Sequence, residues 1–149
     1  MTEVYFYQLE RAPLERVLPE LLEKTLERGW RAVVQTASDE RMEALDSLLW
    51  TYGDATFLPH ATAKDGRPDR QPVFLTAGHD NPNGAQVRFF VDGADIEDVS
   101  PYARVVHLFD GRDEDAVRRA REQWSMAKAS GHEVTYWQQT PQGGWERKA

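Results

Sequence analysis

The stretch Thr2-Glu3-Val4-Tyr5-Phe6-Tyr7-Gln8-Leu9 decides the fold, because Val, Tyr and Phe fall on both parities of the run. A strand with one solvated face alternates apolar and polar residues, whereas a run that is apolar on both parities reads as a strand buried between two layers. It is predicted as a central strand. Pro13 then opens a helical pattern in which Leu14, Val17, Leu18, Leu21, Leu22 and Leu26 recur at three- and four-residue spacing before Gly29. Pro19 interrupts it, which fits either a kinked helix or a short first turn followed by a helix starting at Pro19. Trp30 to Thr36 is a second short strand. Ser38 or Asp39 can cap the next helix, which carries Met42, Leu45, Leu48 and Leu49 on its inner face. Strand, helix, strand, helix predicts a parallel sheet covered by helices and joined by right-handed crossovers.

Downstream, Ala61 to Pro72 is a polar loop containing Lys64, Arg67 and Arg70. Val73 to Ala77, Gln86 to Asp92 and Tyr102 to Phe109 are further strands, with a turn at Gly78 to Gly84. The sheet is then five strands wide. Asp113 to Ser130 reads as the last long helix, ended by Gly131, and His132 to Gln138 as a sixth strand or an extended tail. Beyond Gly143 and Gly144 the chain is expected to fray, with docking of Trp145 left open. The expected fold class is α/β: three layers, a mostly parallel central sheet with helices on both faces, in one domain spanning residues 1–149.

The length of 149 residues and the hydrophobic share of 40% suit one domain with a real core. No apolar run approaches the roughly 18 residues of a membrane span. Met1-Thr2-Glu3 lacks the positive region of a signal peptide, so a cytoplasmic location is expected. The absence of cysteine excludes disulfides and thiolate zinc sites. A net charge of −7 disfavours strong direct nucleic-acid binding, although a local basic cluster can still act, because screening confines fields to about 8 Å at physiological salt.

The architecture resembles a nucleotide-binding fold without its means. There is no phosphate loop, and Leu9-Glu10-Arg11-Ala12-Pro13 follows the first strand where a glycine-rich turn would stand. His60, His79, His107 and His132 show no metal-ligand spacing, so neither metal nor cofactor is expected. His107 and Asp110, near a strand's carboxyl end, are the best acid/base pair on offer for a small-molecule or nucleotide-binding enzyme. Nothing supplies a nucleophile elbow beside them, and a structural role for both is the heavier reading. His79 and Asp80 lie in a turn that explains them.

Two features point to a partner instead. Trp50, Tyr52 and Phe57 crowd around a Gly-Asp turn where a helix ends, more aromatic surface than one core cap needs. On the last helix Val117, Ala120, Trp124 and Ala127 follow core spacing, with Arg118, Arg121, Ser125 and Lys128 on an adjacent face; Glu122 is an available partner for Arg118. An Arg fork beside an aromatic slot is what capture of a peptide C-terminus requires.

Val4-Tyr5-Phe6-Tyr7, Leu45-Asp46-Ser47-Leu48-Leu49-Trp50, Phe57-Leu58-Pro59-His60 and Ala120-Arg121-Glu122-Gln123-Trp124 together resemble, in order and spacing, the chi subunits of the bacterial DNA polymerase III holoenzyme. The resemblance runs through nearly the whole chain. It implies a non-enzymatic subunit that links the clamp loader to single-stranded-DNA-binding protein by holding that protein's acidic C-terminal tail, which ends in Phe. The tail pocket would map onto Phe57, Arg121 and Trp124, with Trp124 replacing the usual Tyr. Ser125 stands where a Lys often follows, so Lys128, Lys64 or Arg67 would attract the tail. Trp50, with Ile96, is the implied surface for psi, another clamp-loader subunit or a helicase-like protein.

Overall fold

In the computed structural model, β1 (Glu3–Leu9) lies inside a seven-stranded sheet, paired in parallel with β5 (Arg104–Asp110) on one side and β6 (Glu133–Gln139) on the other. The structure describes residues 2–10, 13–50, 60, 62, 68–91, 93–94 and 99–148, with the side chains of Trp50 and Pro68 excepted. The remaining strands are β2 (Ala32–Gln35), β3 (Val73–Thr76), β4 (Val87–Phe90) and β7 (Trp145–Arg147), in the spatial order β3-β2-β4-β5-β1-β6-β7. Every pairing is parallel except that of β6 with β7.

Two-residue alternation divides the core between the faces. Leu9, Val34, Leu75, Phe89, Val106 and Leu108 meet α1 (Leu14–Glu27) and α2 (Asp39–Trp50) through Val17, Leu18, Leu22, Met42, Leu45 and Leu49. Val4, Phe6, Phe90, Val105, Phe109 and Tyr136 form the other cluster, against Ala120 of α3 (Glu114–Ala129). The layers are α/β/α, as the both-parity run of β1 requires.

The helix ends follow local chemistry. Ser38 Oγ accepts from Arg41 N, Gly29 takes φ 79° after α1, and α1 runs unbroken through Pro19. Two expectations need correction. The sheet has seven strands rather than five or six, and the chain beyond Gly143 is paired: Thr140 to Gly144 make a hairpin turn, with Thr140 N to Gly144 O at 2.8 Å and Gly143 at φ 89°, which returns β7 antiparallel to β6. The energetic reason is aromatic, since the Trp145 ring packs edge-on to Tyr7 at 5.0 Å between centroids.

Topology places the one crevice that matters. From β1 the chain crosses over α1 to β2, past β5 and β4; from β5 it crosses over α3 to β6, past β1, on the opposite face. The connections therefore diverge between β1 and β5, and the carboxyl ends of these strands leave a gap there.

Candidate functional site

Helix α3 sits on the sheet where Ala120 is fully buried, a small side chain that brings the helix axis close. Asp113 caps it, accepting from the amides of Asp115 at 3.0 Å and Ala116 at 3.3 Å, and Gly131 at φ 84° closes it. At 100° per residue the buried stripe has two flanks. One carries Arg121, Trp124 and Lys128 and looks toward β6; the other carries Arg119 and Gln123 and looks toward the end of β5.

On the first flank, Arg121, Trp124 and Lys128 share one side of the helix, and the last two are in contact. Trp124 is half-buried against the apolar cluster. Lys128 Nζ lies over its ring at 4.6 Å from the centroid, so the indole holds the ammonium one turn from Arg121. Among the described residues Arg121 is exposed and has no ion-pair partner; Arg118 pairs with Asp115 at 2.6 Å, not with Glu122 as the i to i+4 spacing allowed. The indole Nε1 is buried without an acceptor among the described residues.

Sequence reasoning missed Tyr136. Its register opposite Phe6 places it on the α3 face, where burial raises the phenol pKa above its ordinary value while the Arg121 guanidinium pulls it down and Glu10 pushes it up. Tyr136 Oη donates to Gln8 Oε1, Gln8 Nε2 donates to Glu10 Oε1, and Gln138 Nε2 donates to the same carboxylate at 3.2 Å. The exposed Arg121 thus stands near enough to this ordered polar row for its charge to act on Tyr136. Gly111 allows that row: a Cβ there would collide with Glu10 Oε1 and Gln8 Cγ. Phe57, Lys64, Arg67 and Ile96, and the side chain of Trp50, lie outside the described residues.

The second flank borders a cleft of about 300 Å³ at the carboxyl end of β5, lined by His107, Asp110, Arg119 and Gln123 among others. His107 and Asp110 do not form the candidate acid/base pair, in line with the structural role that is the heavier reading of both. His107 points to the α3 face with Val105 and Phe109, its ring between Phe6 at 5.4 Å and Phe109 at 5.5 Å, and Nδ1 has no partner among the described residues. Asp110 instead accepts from Arg112 N at 2.9 Å and Arg112 Nε at 3.3 Å. Residues three apart in a strand point to opposite faces, which is why the spacing fails to join them. Burial, with the Arg119 charge adding to it, lowers the His107 pKa to about 4, so the imidazole is neutral at pH 7.

These geometries belong to a chain with recognisable relatives. A protein of Rickettsia prowazekii (strain Madrid E) named as a probable DNA polymerase III subunit chi is 27% identical over 109 residues, covering 73% of this chain. The chain spans 66% of that relative's length. The model of the family described as DNA polymerase III chi subunit, HolC, matches residues 1–135, from before β1 into β6. With nine-tenths of its length matched, the chain belongs to the DNA polymerase III chi subunit family.

Proposed function

We propose that this protein is a non-catalytic, cytoplasmic accessory subunit of the bacterial DNA replicase that links the clamp-loader complex to single-stranded-DNA-binding protein by holding its acidic C-terminal tail. The observation that carries the reading is Arg121, exposed and without an ion-pair partner among the described residues, one turn from Trp124, with Lys128 seated on the indole. A guanidinium fork accepts a terminal carboxylate in two charge-assisted hydrogen bonds, and the half-buried indole offers a wall for the tail's last Phe. The buried indole N–H adds a donor that a peptide carbonyl can satisfy after a small shift of the ring. Phe57 completes the slot in this reading, and Lys64 adds local charge. Trp50 and Ile96 are reserved for the second partner: psi, another clamp-loader subunit or a helicase-like protein.

A carboxylate contact plus one buried Phe contributes on the order of 3 to 6 kcal/mol before ordering costs. That suits micromolar, exchangeable binding, with many tails on one coated strand raising the effective concentration. The test is titration with a fluorescent tail peptide beside Arg121→Ala and beside a peptide lacking its final Phe. The substitution is expected to weaken binding by about tenfold or more, roughly 1.4 kcal/mol, and the shortened peptide to lose it. Equal binding by Arg121→Ala moves the site elsewhere; no binding by the wild type refutes the adaptor reading.

A further inference from the structure

The cleft on the other flank of α3 contains polar groups that the tail-binding reading leaves unused. His107 Nδ1 and Gln123 Oε1 are both buried and both lack a hydrogen-bond partner among the described residues. Burying such atoms destabilises the fold unless something satisfies them. Beside them stands Arg119, exposed, without an ion-pair partner among the described residues, and close enough to His107 for its charge to act on the ring. The two carboxylates lining the cleft are engaged elsewhere: Asp113 caps α3 and Asp110 holds Arg112. What remains without a partner among the described residues is the Arg119 guanidinium and two polar atoms, around about 300 Å³ of space that Arg41 also lines. The location is the crevice where the β1 and β5 connections diverge, the place in open parallel sheets where small ligands sit.

We propose that this cleft binds a small hydroxylated or aminated oxyanion, with Arg119 holding the anionic group and His107 Nδ1 and Gln123 Oε1 meeting the ligand's polar hydrogens. The donor set fixes the ligand class. Gln123 Oε1 is an acceptor only, so the ligand presents an O–H or N–H to it; Arg119 is a donor only, so the ligand presents negative oxygen. A neutral imidazole can take the tautomer in which Nδ1 is an acceptor, which an imidazolium cannot, so it can meet a polar hydrogen of the ligand. The absence of a glycine-rich phosphate turn after β1 means that the anion is taken by a side chain rather than by a cradle of backbone amides. The site is one of binding, not of catalysis, and it is independent of the tail pocket because the two use opposite flanks of the helix.

The test uses the full chain with labelled histidine. His107 ring resonances are followed by NMR while inorganic phosphate, adenosine 5′-monophosphate or lactate is added, in the wild type and in Arg119→Gln, and the tail peptide is titrated into both. Expected is a saturable shift of the His107 signals with at least one probe, weakened about tenfold or more in Arg119→Gln, with tail binding unchanged. Response to the nucleotide and phosphate but not lactate assigns a phosphoryl group; response to lactate as well assigns any oxyanion of that size. His107 signals that stay fixed with all three probes, or that move equally in Arg119→Gln, overturn the proposal. So does a variant that loses tail binding, since the cleft would then belong to the tail site.

Discussion

At the scale of single residues, His107 links burial to pH. Its folded pKa of about 4 lies below the ordinary 6.5, so on acidification the unfolded chain takes the proton first. The stability from keeping this ring neutral is fully present above pH 6.5 and is lost as pH falls toward 4. It amounts to roughly 3 kcal/mol at most. Urea unfolding across that window is expected to show a falling midpoint in the wild type and a shallower fall in His107→Phe, whose ring suits the gap between Phe6 and Phe109. Equal slopes in the two proteins would contradict the buried-imidazole account. Arg88 shows the opposite solution for a buried polar group. Its guanidinium is satisfied by Gln35 Oε1 at 2.7 and 3.0 Å, Tyr102 Oη at 2.9 Å, and the carbonyls of Gly78 and Asp80 at 2.8 and 2.9 Å. Nothing in the spacing of Arg88 within a strand announces that network, because its acceptors come from β2, a turn and the approach to β5.

Elements divide by whether their stability is local. Helix α3 was legible from end to end: an Asp cap, core spacing at Val117, Ala120, Trp124 and Ala127, and a closing glycine are all near neighbours in the chain. Strand β7 was not. Three residues after two glycines have no periodicity to read; they are held by pairing with β6 and by the docking of Trp145 on Tyr7. Trp145→Ala is accordingly expected to lower unfolding free energy by about 1–3 kcal/mol, measured by urea titration, as the β6–β7 hairpin loses its aromatic contact. A midpoint unmoved by the substitution would mean that the hairpin contributes nothing to global stability. The family model ends at residue 135, within β6, so the rest of β6, the turn and β7 lie beyond the matched stretch, and β7 adds an antiparallel edge to a parallel sheet.

For the whole molecule, the question is whether a chain of net charge −7 can attract an acidic tail. The global field repels it, while Arg121 and Lys128 attract it locally. If the local field governs the encounter, the association rate of the tail peptide falls as salt is raised; if the net charge governs, it rises. Stopped-flow association at rising ionic strength is expected to slow, and acceleration would place the binding face away from these cations. The sequence alone determined the identity and order of most elements, the layered α/β class, the lack of a phosphate loop and the cationic edge of the last helix. These are properties of periodicity, capping and composition within about twenty residues, and they survive without any knowledge of what packs where. Only the tertiary structure decided the strand order, the seventh strand, the seat of Tyr136 beside Arg121 and the cleft that pairs His107 with Arg119 and Gln123. Each of those depends on which distant strands share hydrogen bonds, and pairing across a hundred residues leaves no local signature in the chain.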